Sequence, residues 1–311
     1  MSAARPQSTL DPATGSSASA IDELGLVLYV GAAVILAVVS LLALLGVLTG
    51  PRSVNARRWL IGGGLILPAT ILAALFVHAL IVGNSLMAKT HASMLRIHVT
   101  GMQWWWEVRY ESADGRPEAV LANELHIPLG RPVEILLGSS DVIHSFWVPA
   151  LAGKVDMIPG RETRLIVRAD RAGVYRGQCA EYCGAQHALM AFHVVAEPAA
   201  RFDTWLTRQS QPAIQSTGPQ IEPGRDLFFR GGCAACHTVR GTEAAGRSGP
   251  DLTHVGSRHA IAAGTLRNHV GTMAGWIAGP QDIKPASLMP NSAEYTGAEL
   301  RTLSAWLMSL E

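Results

Sequence analysis

Two long uncharged runs set the first limit on what this chain can become. Leu24 to Gly50 carries no charged residue, and Trp59 to Met87 carries none either, with Pro68 and His78 as its notable interruptions. A helix of roughly 20 apolar residues crosses the hydrocarbon core of a bilayer, whereas buried helices of soluble domains use runs of about 10–14. Each run therefore predicts a membrane span, over about residues 24–50 and 59–87, within a helical segment 23–88. A cleaved leader suits the first run poorly, since a polar tail of about twenty residues precedes it without an adjoining basic stretch. The connection Pro51 to Arg58 holds three arginines and no acid, while the tail, residues 1–22, sets Arg5 against Asp11 and Asp22, with Glu23 next. The excess of positive charge puts the loop in the cytoplasm, and the tail and everything after residue 88 outside. Within the second span, Pro68 predicts a kink.

The rest of the 311 residues suffices for about two domains. A net charge of +1 offers nothing to nucleic acid. Residues 92–198 read as short strands, among them Leu95–Thr100, Val133–Leu137 and Arg164–Arg168, separated by turn signals at Ala113–Arg116 and Leu129–Pro132. That spacing predicts an all-β sandwich or barrel, whose loops can bring distant side chains together. Residues 199–220 read as a short helix and a polar linker rich in Pro, Ser and Gln. Residues 221–311 form a small second domain with helices near Pro223–Arg230 and Thr296–Leu310; in the latter, Leu300, Leu303, Trp306 and Leu307 share a face.

The four cysteines fall in two tight pairs, Cys179/Cys183 and Cys233/Cys236. Local disulfides are one reading, but neighbouring His and Met residues favour metal chemistry at both. Cys179 to Met190 packs two thiols, the imidazole of His187 and the thioether of Met190 into one loop-sized segment. Sulfur with imidazole suits a soft metal, copper before zinc. A second imidazole has to come from elsewhere, and His144 in Ser140–Pro149 is the best candidate.

These residues resemble subunit II of the haem–copper cytochrome c oxidases. The resemblance rests on C-x-E-x-C-x-x-x-H-x-x-M at Cys179–Met190, the segment around His144, Gly101–Trp106, Lys154–Arg161 and the two spans, and covers about residues 10–200. It implies a multi-domain chain: a two-helix transmembrane hairpin, an all-β cupredoxin-like domain, then a small all-α cytochrome c domain. It further implies a dinuclear copper A centre bridged by Cys179 and Cys183, with His144 and His187 as nitrogen ligands, Met190 as a weak thioether and Glu181 ligating through its carbonyl. The Glu181 side chain is implied at a magnesium ion shared with the catalytic subunit, and Trp104 as the aromatic through which electrons arrive. Trp105 and Trp106 read as packing, and His91, His98, His126 and His193 as strand or loop residues. One departure stands out: the second span starts without the carboxylate this family often places there for proton uptake.

Cys233-Ala-Ala-Cys236-His237 is the C-x-x-C-H signature of covalent c-type haem. With Gly224–Phe228, Gly249–Leu252 and Leu288–Pro290 it resembles a class I cytochrome c over the whole second domain. Met289 is the expected axial partner of His237, as His/Met ligation raises the potential. Met273 is the alternative, and Met308 reads as core. The carbonyl of Pro250 is expected to accept from the His237 ring, while His254, His259 and His269 read as surface or local packing.

The resemblance implies a respiratory oxidase subunit in the bacterial cell membrane, with both termini periplasmic. Electrons would come from a cytochrome c or a quinol-oxidising complex and leave for a catalytic subunit that reduces oxygen and translocates protons; lipid and further oxidase subunits are the other expected partners. Two rivals share the sequence features in part. A quinol oxidase subunit would lack the copper ligands present here, and a stand-alone membrane-anchored carrier or metal store would purify without a haem–copper subunit.

Overall fold

The computed structural model of the chain describes residues 13–50, 53–86, 94–111, 117–214, 218, 221–292 and 294–311. The first apolar run is one helix, α1 (Ser16–Thr49). It starts within the stretch assigned above to the tail, because residues 16–23 contain no helix breaker, whereas hydropathy marks only the lipid-compatible part. The second run comprises α2 (Ala56–Arg58), a π-helical stretch Trp59–Ile66 and α3 (Leu67–Leu86), and the Asn55 side chain caps its start by accepting from the Arg58 N–H. The Leu67 N–H reaches the Gly62 carbonyl, five residues back. Pro68 follows directly; it lacks an N–H and its ring crowds the carbonyl four residues earlier, and a wider turn relieves both. Where the sequence predicts a kink, the chain changes its helical pitch. Both helices are long and apolar enough to cross a membrane, and their apolar stretches are not packed inside the protein. Arg5, Asp11, Arg52, His91 and the turn Ala113–Arg116 lie outside the described residues.

Residues 17–90 form one compact unit and the remaining chain another. The second unit opens with β1 (Leu95–Met102), β2 (Trp105–Glu111), β3 (Pro117–Ala122), β4 (Glu124–Pro128) and β5 (Val133–Ser139). It continues with β6 (His144–Trp147), β7 (Val155–Met157), β8 (Thr163–Val167), β9 (Gly173–Cys179) and β10 (Ala191–Glu197). They make two sheets, ordered β3-β2-β1-β5-β8 and β4-β10-β9-β6-β7. Strand alternation decides what lies between them. Ile97 and Val99 on β1, and Trp106, Val108 and Tyr110 on β2, meet Phe146 on β6 and Phe192 and Val194 on β10 in one core. The Trp106 ring centroid lies 4.9 Å from that of Phe192 and 6.1 Å from that of Phe146.

The helix α4 (Ala199–Ser210) closes one end of this sandwich. Its Trp205 stacks on His126 of β4 at 3.8 Å and 8°. His126 in turn bonds Glu197 at 2.7 Å and Glu124 at 3.3 Å. The stretch expected as a free linker is partly docked: Arg240 donates to the carbonyls of Gln209 and Ser210, and Ala213 is buried in the next domain.

That domain contains α5 (Glu222–Arg230), α6 (Val270–Ala278), α7 (Pro280–Ile283) and α8 (Gly297–Met308). It also has a two-stranded ladder, β11 (Ala260–Ile261) with β12 (Leu266–Arg267), which an all-α expectation omits. Its four strand residues are too few to show alternation. Where α5 crosses α8, a Cβ on Gly224 would stand 2.3 Å from the Thr302 carbonyl oxygen, so the crossing depends on glycine. Phe228, Leu303, Trp306 and Leu307 fill the contact. Thr296 caps α8 in a reciprocal box with Glu299.

Glu124 also binds the second domain: its Oε2 accepts from the His259 N–H at 2.9 Å and lies 3.0 Å from His259 Nδ1. Against desolvation, which alone would raise it, hydrogen bonds from His126 and His259 hold the Glu124 carboxyl far below its usual 4.5. Desolvation opposes charge on His126 as well, but Glu124 and Glu197 raise it; the Glu124 bond raises His259 against its burial. The Glu124 contribution is complete above pH 4.5 and fades as pH falls through the lower folded value. The imidazole contributions are complete below 6.5 and fade as pH rises through their raised folded values. Glu124→Gln should therefore cost about 3–5 kcal/mol near pH 5.5 and clearly less near pH 8.5, read as the difference in thermal unfolding from wild type. A penalty independent of pH would contradict this assignment.

Candidate metal centre

A loop from the end of β9 to the start of β10 gathers the donors, and backbone pairing fixes both of its ends. The Cys179 N–H donates to the Met190 carbonyl at 2.9 Å, and the Ala180 N–H to the Ser145 carbonyl at 3.0 Å. Phe146 pairs with Cys179 across β6 and β9, so His144, two residues earlier, comes to lie beside the thiols. Cys179 Sγ is 3.8 Å from Cys183 Sγ and 3.9 Å from His144 Nδ1. Cys183 Sγ is 3.8 Å from His187 Nδ1 and 3.8 Å from Met190 Sδ. The Glu181 carbonyl oxygen sits 3.2 Å from Cys179 Sγ.

These spacings bear on whether a metal fits. A disulfide holds its sulfurs about 2.05 Å apart, and both cysteines are free. Bonds of about 2.0–2.3 Å around one centre put neighbouring ligand atoms roughly 3.3–3.8 Å apart. Each donor lies at about such a spacing from one of the two cysteine sulfurs, and their soft sulfur and imidazole character suits copper. His144, Cys179 and Cys183 alone form a metal-competent cluster, and all three are buried. The Cys183 hydrogen bond pulls the Cys179 thiol down to about 3 despite burial, with help from His144. The same bond, with burial, pushes Cys183 above the usual thiol range. Without metal, the pair thus shares a proton that an incoming cation displaces.

Supporting contacts reach further than the motif. His144 Nε2 lies 2.8 Å from Asp141 Oδ1, so donation to that carboxylate leaves Nδ1 facing the thiols. Against desolvation, bonds to Cys179 and Asp141 raise the His144 imidazole. Trp104 is half-buried and its Nε1–H donates to the Cys183 carbonyl at 2.9 Å; Gln103 Nε2 reaches the same oxygen at 2.9 Å. Gly184 has φ +114°, and a Cβ there would lie 3.0 Å from the Trp104 ring, so the turn after Cys183 requires glycine. Trp106 is fully buried beneath His144, while Trp105 is half-buried. For magnesium the fit within this chain is poor: the exposed Glu181 carboxylate is 3.4 Å from Lys154, which also pairs with Asp156.

In the second domain, Cys233 and Cys236 lie on one turn, where the Cys236 and His237 N–H groups both donate to the Cys233 carbonyl. His237 Nδ1 donates to the Pro250 carbonyl at 2.8 Å, and burial pushes the imidazole down. That bond leaves Nε2 as the free nitrogen, the arrangement a haem iron requires. Two free thiols at i and i+3 next to it suit covalent attachment, so the residues fit a c-type haem. Met289 is half-buried against the domain core, Met273 is buried within it on α6, and Met308 is half-buried on α8. His269 caps α6, and His254 is buried near Arg240.

Asp141, Gln186, Lys284 and the Glu124–His259 pair escaped the sequence reading. Asp141 had a signal in its i, i+3 spacing to His144; the others are joined only by tertiary contact. Gln186 is 2% exposed and Lys284 3% exposed. Burial pushes the Lys284 ammonium down to about 7.

The chain thus combines a β-sandwich holding a sulfur–imidazole pocket with a second domain carrying C-x-x-C-H. Comparison with known families makes this specific. Residues 115–197 match the model of the cytochrome c oxidase subunit II periplasmic domain, and residues 221–311 match that of cytochrome c. The chain thus carries a cupredoxin-like domain of the cytochrome c oxidase subunit II family fused to a cytochrome c domain. Cytochrome c oxidase subunit 2 of Alkalihalophilus pseudofirmus is 38% identical over 215 residues, covering 69% of this chain and 61% of that protein. The subunit 2 of Bacillus subtilis is 30% identical over 227 residues, covering 70% and 62%. The chain therefore spans less than two thirds of those relatives' length. The solved periplasmic domain of subunit II from Bradyrhizobium japonicum is 31% identical, covers 37% of this chain and 92% of that one, and has a TM-score of 0.33.

Replacing Asp141 with Asn should weaken copper binding by about 10–100-fold, because the bond that orients His144 is altered. Competition against a chelator of known affinity measures it; an unchanged affinity would remove Asp141 from the site.

Proposed function

We propose that this chain is subunit II of a terminal cytochrome c oxidase that carries its own electron-delivering cytochrome c domain. His144, Cys179, the Glu181 carbonyl, Cys183, His187 and Met190 would hold a dinuclear copper A centre. Cys233 and Cys236 would bind haem c covalently, with His237 and Met289 on the iron. The single observation that carries the reading is that the two cysteine sulfurs lie 3.8 Å apart and four further donor groups each lie 3.2–3.9 Å from one of them. When bound, copper and haem supply one-electron transfer.

The chain's own residues supply the rest. Asp141 and the Pro250 carbonyl each fix an imidazole tautomer and aim the other nitrogen at the metal. Trp106, Phe146 and Phe192 exclude water beneath the copper loop. Backbone pairing at Cys179 and Met190 holds the donors still, which keeps the reorganisation on electron transfer small. Oxygen reduction and proton translocation would belong to a catalytic subunit. A cytochrome c or a quinol-oxidising complex would reload the haem. The arginine-rich loop supports a cytoplasmic connection and periplasmic redox domains in a bacterial cell membrane.

Metal and haem analysis of the membrane complex tests this. Two copper atoms and one c-type haem per chain are expected, with a mixed-valence copper EPR signal; one copper atom in fully loaded protein would sink the dinuclear centre. Cys179→Ser should abolish that signal and leave the haem spectrum intact. Met289→Ala should remove the thioether-to-iron absorption band; persistence of the band would move the ligand to Met273.

A further inference from the structure

The metal loop and the cytochrome domain touch through hydrogen bonds that run in both directions. From the copper side, Gln186 Nε2, next to His187 in sequence, donates to the Pro285 carbonyl at 2.9 Å. From the cytochrome side, Lys284 Nζ donates to the Trp104 carbonyl at 3.0 Å. Alongside, the Ala191 N–H, directly after Met190, donates to the Ala263 carbonyl at 2.9 Å. Adjacent residues of one segment, Lys284 and Pro285, thus grip two different parts of the copper site's surroundings.

We propose that Lys284 and Gln186 are positioning residues for electron transfer, forming a reciprocal latch that holds the cytochrome domain in one fixed orientation on the copper loop. The inference rests on the two redox centres proposed above. A buried ammonium is costly, and an apolar side chain would give adhesion more cheaply. Among the described residues, the Trp104 carbonyl is the one hydrogen-bond partner of Lys284 Nζ, so the contact chosen at that cost is the one to the copper side. Trp104 passes the connection on, as its ring N–H bonds the carbonyl of Cys183. On the other side, the segment from Lys284 runs to Met289 and is itself held by Gln281, which donates to the carbonyls of Ser287 and Met289. Hydrogen-bonded and covalent contacts therefore run without a gap from Met289 to Cys183. Electronic coupling decays more slowly through such contacts than across empty space. The latch also places the Lys284 ammonium on the Trp104 main-chain carbonyl, next to the indole that bonds Cys183.

The test uses the full-length holo complex as wild type, Lys284→Met and Gln186→Ala. Copper EPR, haem spectrum, hydrogen exchange of the peptide containing Ala191, and the haem-to-copper transfer rate after photoreduction are compared. Both variants should keep both spectra, exchange Ala191 faster, and transfer about tenfold more slowly. Unchanged exchange and rate in both variants would overturn the proposal. So would loss of the copper signal in either, since these residues would then support the metal loop itself. If wild type lacks copper or haem, the parent reading fails and the electron-transfer role falls with it; the exchange result would still report whether the two domains are latched.

Discussion

The position of one strand decides whether the metal donors can meet. β9 lies between β6 and β10, and its last residue is Cys179. On one side it pairs with the strand that begins at His144, and on the other with the strand that follows Met190. A loop of donors has many conformations when free, and fixing each residue costs about 1–2 kcal/mol. Anchoring both ends in a sheet moves that cost into the fold, which the Trp106, Phe146 and Phe192 core offsets whether or not metal is bound. The pocket is therefore a property of the sandwich, with its donors gathered before any metal binds.

Charge is treated in two ways in this chain. In the apolar runs it is absent, as the bilayer demands. Where the cytochrome domain meets the sandwich it is buried on purpose: Glu124 lies with His126 and His259, and Lys284 faces a carbonyl. Polar contacts of this kind add little net stability compared with apolar ones, but their directionality allows few orientations. An electron donor and acceptor need a defined orientation more than a tight one. That requirement explains why the interface relies on directional hydrogen bonds where a simple linker would have used hydrophobic area.

Much of the architecture could be read before any coordinates. The spans announce themselves by length without charge, and β1, β5 and β8 by their apolar pattern. The proposed copper donors were legible because five of the six fall within twelve consecutive residues. His144 stands out as the best second imidazole and the family resemblance strengthens it, though an imidazole 35 positions before Cys179 has no local signature. The start of α1 at Ser16 was hidden because a polar helical turn and a polar tail look alike in hydropathy. β11 and β12 were too short for any periodicity. Lys284 meets Trp104 from 180 positions away and His259 meets Glu124 from 135. Neither residue carries a motif, and a buried lysine looks like any surface lysine until its surroundings are known.

The interface also recasts Trp104. On sequence grounds it is an aromatic awaiting a visiting donor. In the folded chain its ring N–H is committed to Cys183, its carbonyl is taken by Lys284, and the ring closes over Gly184. Its two side-chain-mediated contacts thus join the cytochrome domain on one side and the metal loop on the other. A linker alone would raise the local concentration of the cytochrome domain but leave its orientation to chance. On the latch proposed above, docking would remove that search.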